Sequence, residues 1–173
     1  MIRTGTRADL DAVQKLYEQV FSSEEQGEMQ CGWKRGVYPT RRVPAVAVMQ
    51  GTFYICEDGG RIVGSMILNH IEPDEYKNIA WARKVQGNET VVAHVFCVSP
   101  EAHIETVAEE MLRFAVKKAK EQECLVVRTN VFADHSKLAG SLTRMGFARA
   151  GEGTMKFHAQ HLSRQAMFEY VLE

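Results

Sequence analysis

The chain is organised around one apolar run and the periodic stretch behind it. Val91 to Val98, VVAHVFCV, is apolar at every position but His94. A run of that kind predicts a strand buried on both faces, the sort that pairs in parallel. Ser99 and Pro100 end it. Val107, Met111, Phe114 and Ala115 then recur at helical spacing, which predicts a helix to Glu121. Acids gather early in that helix (Glu105, Glu109, Glu110) and lysines late (Lys117, Lys118, Lys120), the order its dipole favours. A strand, a tight turn and a helix set the helix N-terminus at the carboxyl end of the strand. Its first N–H groups have no partner inside the helix, so α/β folds hold anions there.

The same reading orders the rest of the chain. Met1 to Gly5 reads as a short first strand. Thr6 and Asp9 have capping-box spacing ahead of a helix marked by Leu10, Val13, Leu16, Tyr17, Val20 and Phe21. Ser22 to Gln30 is polar and acidic, a loop or a helix turn. Trp33, Gly36, Tyr38 and Pro39 form a cluster among Lys34, Arg35, Arg41 and Arg42. It is either a loop pinned by its aromatics or a wall of a substrate pocket. Thr52 to Glu57 reads as a strand, Asp58-Gly59-Gly60 as a turn, and Arg61 to Asn69 as the hairpin partner. Gly64 within it predicts a bulge or a close approach. Glu72 to Asn88 is a polar excursion carrying Trp81. Cys124 to Val131 is another apolar strand, so strand, helix and strand make a right-handed parallel crossover. Asp134 to Met145 reads as a short helix, Gly146-Phe147 starts an antiparallel return, and Phe168 to Leu172 is the last strand.

Composition narrows the classes. At 45% hydrophobic and 25% charged the chain is globular, and a net charge of −1 gives no electrostatic case for nucleic acid. No apolar stretch approaches the roughly 20 residues that span a bilayer, and Met1-Ile2-Arg3 opens without a signal-peptide pattern. The cysteines Cys31, Cys56, Cys97 and Cys124 form no CxxC, which fits a reducing cytoplasm. No metal site is expected. His94 and Cys97 are three apart and so face opposite ways in a regular strand, and His158 and His161 meet the same objection.

The residues also resemble a family. Ile2-Arg3 followed by Asp9, Asp58-Gly59-Gly60-Arg61-Ile62-Val63-Gly64, Phe96-x-Val98-x-Pro100, and Arg144-Met145-Gly146-Phe147 occur in the order found in the GNAT superfamily of N-acetyltransferases. The resemblance spans nearly the whole chain. It implies one α/β (α+β) domain over 1–173, with a mixed, mostly antiparallel sheet, a central parallel strand pair and helices on both faces. It implies acetyl-coenzyme A (CoA) as donor and a small-molecule or peptide amine as acceptor. Members often dimerise, so a homodimer is expected.

Site residues follow from the resemblance. A bulge would splay the central strand from its parallel neighbour and free backbone groups of Phe96, Cys97 and Val98 for an amide-bearing arm. The phosphate loop aligns with His103, Ile104, Glu105, Thr106, Val107 and Ala108. Only Ala108 fits the family pattern. Thr106 stands where a glycine lets backbone approach phosphate, Glu105 and Glu109 bring negative charge, and His103 replaces the basic residue. His135 stands where an asparagine often contacts the cofactor, and Leu142 where a tyrosine often protonates the leaving thiolate. His94, on the face expected to be shared with Phe96 and Val98, is either a core histidine or the group that takes the amine proton. Cys97 is a buried thiol or, less simply, a nucleophile. Trp33, Tyr38 and Trp81 are the candidate acceptor wall. The alternative to an enzyme is a GNAT-like domain without chemistry, serving as a ligand-binding or interaction module.

Overall fold

The computed structural model describes the chain except residues 29–30 and 159–160, with His158 described by its backbone only. The strands are β1 (Ile2–Thr4), β2 (Phe53–Asp58), β3 (Arg61–Asn69), β4 (Thr90–Val98), β5 (Val126–Phe132), β6 (Ala148–His158) and β7 (His161–Val171). The helices are α1 (Leu10–Glu25), α2 (Arg42–Gln50), α3 (Ile104–Glu121) and α4 (Ser136–Arg144). One sheet carries the strands in the order β1-β2-β3-β4-β5-β7-β6, and β4–β5 is its parallel pair. The mixed α/β architecture expected from the sequence is the one observed.

Each face of the sheet is chosen by its side chains. Gly64 looks toward α3, where a Cβ would stand 2.6 Å from Met111 Sδ, so this glycine is the close approach that its place in a strand predicts. On the same face Tyr54 packs on Phe114 of α3 at 5.0 Å between ring centroids. Ser65 points the other way, toward Tyr17 of α1. The core lies on both sides, with Val13, Leu16 and Tyr17 from α1 and Val107, Met111 and Ala115 from α3. The start of α1 is tied down as the capping spacing suggests. Asp9 accepts from the Thr6 backbone N–H at 2.7 Å and from Arg3 at 2.8 and 2.7 Å. The Arg3 guanidinium, then Thr6, hold the Asp9 carboxyl well below the usual carboxylate range.

Three elements depart from the sequence reading. Residues of Ser22–Gln30 belong in part to α1, which continues to Glu25; residues 29–30 lie outside the described part. α2 gives no periodic signal because its sequence, RVPAVAVMQ, is apolar nearly all round. β7 begins at His161, not Phe168, and its polar Ser163, Gln165 and Glu169 are buried. Those polar residues break the apolar pattern that marks a strand; Gln165 bonds Asn130 and Glu169 bonds Arg128, both of β5, while Ser163 is bonded by Gln165 of its own strand.

The buried pair Arg128–Glu169 fixes the far half of the sheet. Arg128 is 3% exposed and Glu169 2%. Arg128 donates to Glu169 Oε2 at 2.8 Å, to the Arg83 carbonyl at 2.6 Å, and to Glu72. Trp81 lies over its guanidinium at 4.3 Å. The polar excursion between β3 and β4 is therefore fastened to β5 and β7, and its Tyr76 is buried beneath. Losing one member of such a pair strands the other charge out of water. Arg128→Met is expected to destabilise by about 3–5 kcal/mol. Arg128→Met with Glu169→Leu should recover most of that, as read by urea denaturation; equal loss in the single and double variants would refute the account.

Candidate active site

β4 and β5 pair from Thr90 opposite Val126 to Ala93 opposite Thr129, and there the pairing stops. Val95 has φ of 49°, and the β3–β4 register shifts between Ser65 and Ile67. A β-branched residue at positive φ is a backbone outlier of the kind found at functional sites. It marks a bulge that turns β4 away from its neighbour. β5 stays paired with β7 as far as Phe132, so the two strands diverge as a V. The Ser99 N–H donates to the Val63 carbonyl at 2.8 Å. Main-chain groups alternate sides along a strand, so those of Ser99 and Cys97 point to β3 and those of Phe96 and Val98 into the gap. The gap holds a cavity of about 30 Å³. Its wall takes Val95 and Phe96 from β4, Asn130 and Phe132 from β5, His135 and Leu138 from the α4 side, and Trp33, Tyr38 and Phe157 from the opposite face.

The bulge corrects two expectations about His94. His94 pairs with Ile67 and Cys97 with Ser65, two residues apart on β3, so His94 and Cys97 share a face. The extra residue in the bulge reverses the alternation that sets them apart in a regular strand, and His94 does not share the face of Phe96 and Val98. The pair still gathers no third ligand. Among the described residues no group of three or more His, Cys, Asp or Glu could hold a metal. The side chain of His158 lies outside the described part.

His94 adjoins the cavity through Val95 but is not on its wall. Asn69 Oδ1 accepts from the Ile71 N–H at 2.9 Å, which orients the amide, so His94 Nε2 donates to the same oxygen at 2.9 Å. Nδ1 is then the unprotonated nitrogen, a tautomer assigned from the network. Burial pushes the imidazole down to about 4. His135 is also neutral, pushed down to about 4 by burial. Its Nδ1 accepts from the Leu138 N–H at 3.4 Å and caps α4, leaving Nε2–H as a donor at the cavity. The Cys97 thiol, pushed up to about 12 by burial, lies 3.5 Å from Ser65 Oγ.

The remaining predicted residues are divided between places. Ile104, Val107 and Ala108 are buried in α3, while His103 at its N-cap and Thr106 are exposed. His103, Thr106 and Val107 line a second cavity of about 880 Å³, shared with the β2–β3 turn and α1. Glu109 is turned to Arg144 of α4 at 2.7 Å, while Glu105 is half-buried near His135. Trp33 and Tyr38 reach the gap. Trp81 does not; it covers Arg128 instead. Leu142 is fully buried in the core.

Sequence reasoning missed Asn130, Gln165 and Phe157 on the cavity wall. Asn130 accepts from Tyr76 Oη–H at 2.9 Å and donates to Gln165 Oε1 at 3.1 Å, and Gln165 donates to Ser163 Oγ at 2.8 Å. The polar stretch Arg128-Thr129-Asn130 inside β5 was the available signal. Nothing local marks Val95.

The chain matches the model of the acetyltransferase (GNAT) family over residues 7–147. No curated protein matches it in sequence. Among solved structures it is similar to a GNAT-family acetyltransferase from Streptococcus agalactiae 2603, at 13% identity, TM-score 0.76, with 100% of this chain and 95% of that one covered. It is also similar to the ribosomal-protein-alanine N-acetyltransferase of Brucella melitensis, at 15% identity, TM-score 0.71, with 99% of each chain covered. A third, yncA of Salmonella typhimurium, was solved with its cofactor acetyl-CoA, and is 15% identical with a TM-score of 0.67 over 100% of this chain and 94% of that one. The likeness to these structures is one of fold, while the family match extends over most of the sequence, and the chain belongs to the acetyltransferase (GNAT) family.

Proposed function

We propose that this protein transfers an acetyl group from acetyl-CoA to a small-molecule or peptide amine, directly, with both bound at once. The observation that carries the reading is the gap between β4 and β5, with main-chain groups of Phe96 and Val98 turned into it. An amide-bearing arm fits such an edge, because strand-like hydrogen bonds are what the edge lacks. Phe96 and Val98 would hold the arm, His135 Nε2–H would donate to it, and the first-turn N–H groups of α3 would hold phosphate. Bound acetyl-CoA supplies an acetyl thioester.

The chain's own groups then have distinct tasks. An N–H turned into the gap can hold a carbonyl oxygen as it gains charge, in a site walled mainly by apolar side chains. Neutral His94, through Nδ1, accepts the amine proton directly or across one water. Its burial keeps the imidazolium costly, so the proton passes on. Trp33 and Tyr38 form the acceptor wall. The unpaired cysteines support a reducing, cytoplasmic setting. A second reading, a binding module without chemistry, draws on Leu142, because the family's phenol position holds an alkyl group sealed in the core.

Three outcomes are expected. Coenzyme A at 100 times its dissociation constant should stabilise the fold by about 2.7 kcal/mol. No change in melting temperature at millimolar coenzyme A would rule out the binding site.

His94→Ala should lower the transfer rate by about 10² to 10⁴-fold while the variant melts normally and still binds coenzyme A. The His94 pKa is depressed, so the ring stays neutral from well below pH 6 upward. NMR titration should show no His94 transition between about pH 5.5 and 8. An unchanged rate would return His94 to a structural role, and a midpoint near 6.5 would refute the desolvation of its ring.

Leu142→Tyr should not be required for turnover. A thiol of pKa about 8.5 leaves without full protonation, and the missing acid should cost at most about 10⁴-fold. A wild type inert on every amine beside an active Leu142→Tyr would favour the binding module.

A further inference from the structure

The wall of the gap carries information about the acceptor. Among the described residues lining the cavity there is no Asp, Glu, Lys or Arg. Of the charged groups nearby, Glu105 and Lys137, one of each sign, act on His135 from outside the wall, and others are held by partners. Glu24 accepts the Cys31 backbone N–H, and Arg128 is held by Glu169 and Glu72. The imidazole of His161 bonds the Gly32 carbonyl at 2.6 Å. His135 on the wall and His94 behind Val95 are both neutral. What remains is aromatic and amide. Tyr38 stacks on Phe157 at 4.4 Å with 12° between ring planes, and Trp33 meets Tyr38 edge-on at 6.5 Å. Tyr38 and Phe157 are half-buried, so this pair forms the rim. The cavity, at about 30 Å³, has no room for an acceptor's body beside the arm, which leaves that body to the aromatic rim.

An ammonium entering such a gap would lose its hydration and find no anion on the wall itself. We propose that the acceptor is a weakly basic amine on a flat apolar body, an aromatic amine by chemical class, which enters the gap uncharged and lies against Tyr38 and Phe157. This rests on the acetyltransferase reading above. The step balances without another reagent: an N–C bond forms, the thioester C–S bond breaks, and the amine proton replaces the acetyl group on sulfur. An aromatic amine is neutral at neutral pH because its lone pair is delocalised into the ring. A lysine-type amine, with pKa about 10.4, is neutral in only about one molecule in a thousand at pH near 7.5.

The test compares 4-methoxyaniline, phenethylamine and spermidine with the full chain and saturating acetyl-CoA. The expected kcat/KM for 4-methoxyaniline exceeds that for phenethylamine by about 10³-fold, the ratio of the neutral fractions, with spermidine lowest. Equal use of all three, or a preference for spermidine, overturns the proposal. Gln165→Glu, which sets a carboxylate on the wall at nearly constant size, should move the preference toward phenethylamine by about tenfold; a fixed ratio in a folded variant overturns the electrostatic argument. Dissociation constants of the amines for the coenzyme A complex separate the two claims. If no amine turns over but 4-methoxyaniline binds more tightly than phenethylamine, the acetyltransferase reading fails and the ligand class stands. If phenethylamine or spermidine binds more tightly, the ligand class fails whatever the chemistry.

Discussion

The structure depends on a pair of parallel strands kept from closing. β4 and β5 are bonded through Ala93 and Thr129 and then part, although each continues as a strand. Two things prevent closure. β4 remains bonded to β3 through Val98, and β5 to β7 through Phe132, so each strand is held by its outer neighbour. The turn at Val95 redirects β4, and a non-glycine residue at φ 49° is retained only where its surroundings over-determine it. Main-chain donors and acceptors that a closed pair would consume are thereby left facing each other across a gap. A free strand edge is ordinarily a liability. Here the edge lies inside the sheet, flanked by helices and an aromatic segment.

Support for the open half comes from polar groups buried on the far side. Arg128 joins β5 to β7 through Glu169 and reaches the excursion through Glu72 and the Arg83 carbonyl. From the same excursion Tyr76 bonds Asn130, and the chain of bonds continues to Gln165 and Ser163 on β7. These bonds hold β5 to β7 and to the excursion where the β4–β5 ladder has stopped. They also explain why the excursion, polar in sequence, is well packed: its aromatics cover a charge that would otherwise meet the apolar core.

Much of this fold was legible because the signals were local. The apolar run at Val91–Val98, the turn at Asp58-Gly59-Gly60 and the helical spacing behind Pro100 correspond to β4, the β2–β3 hairpin and α3. α2 was not legible, since a helix apolar on most sides has no period to read. The early half of β7 was hidden because buried polar residues interrupt its apolar pattern, Gln165 being bonded to Asn130 of β5 and Ser163 to Gln165 itself. The site was less legible than the fold. His94 could be singled out as the one strongly polar residue in its run, but its orientation could not, because alternation assumes a regular strand. One residue in positive φ, Val95, moved His94 to the face of Cys97. Trp33 and Tyr38 were distinguishable from Trp81 only once the chain was folded, since all are aromatics in polar stretches. Asn130 and Gln165 come together from two strands, a contact no single segment announces.

The gap's electrostatics follow from the same construction. Splitting a central strand pair opens a site inside the sheet rather than on its surface, so the groups nearest it are desolvated. Desolvation makes both imidazoles neutral and raises the Tyr38 phenol to about 12. With charged forms disfavoured, the dipoles of main-chain N–H groups become the strongest fixed features in the gap, and an apolar surrounding strengthens their field. A strand break therefore determines both the shape of the site and the kind of charge it can stabilise. It favours negative charge developing on an oxygen beside those N–H groups and disfavours a cation carried in from water.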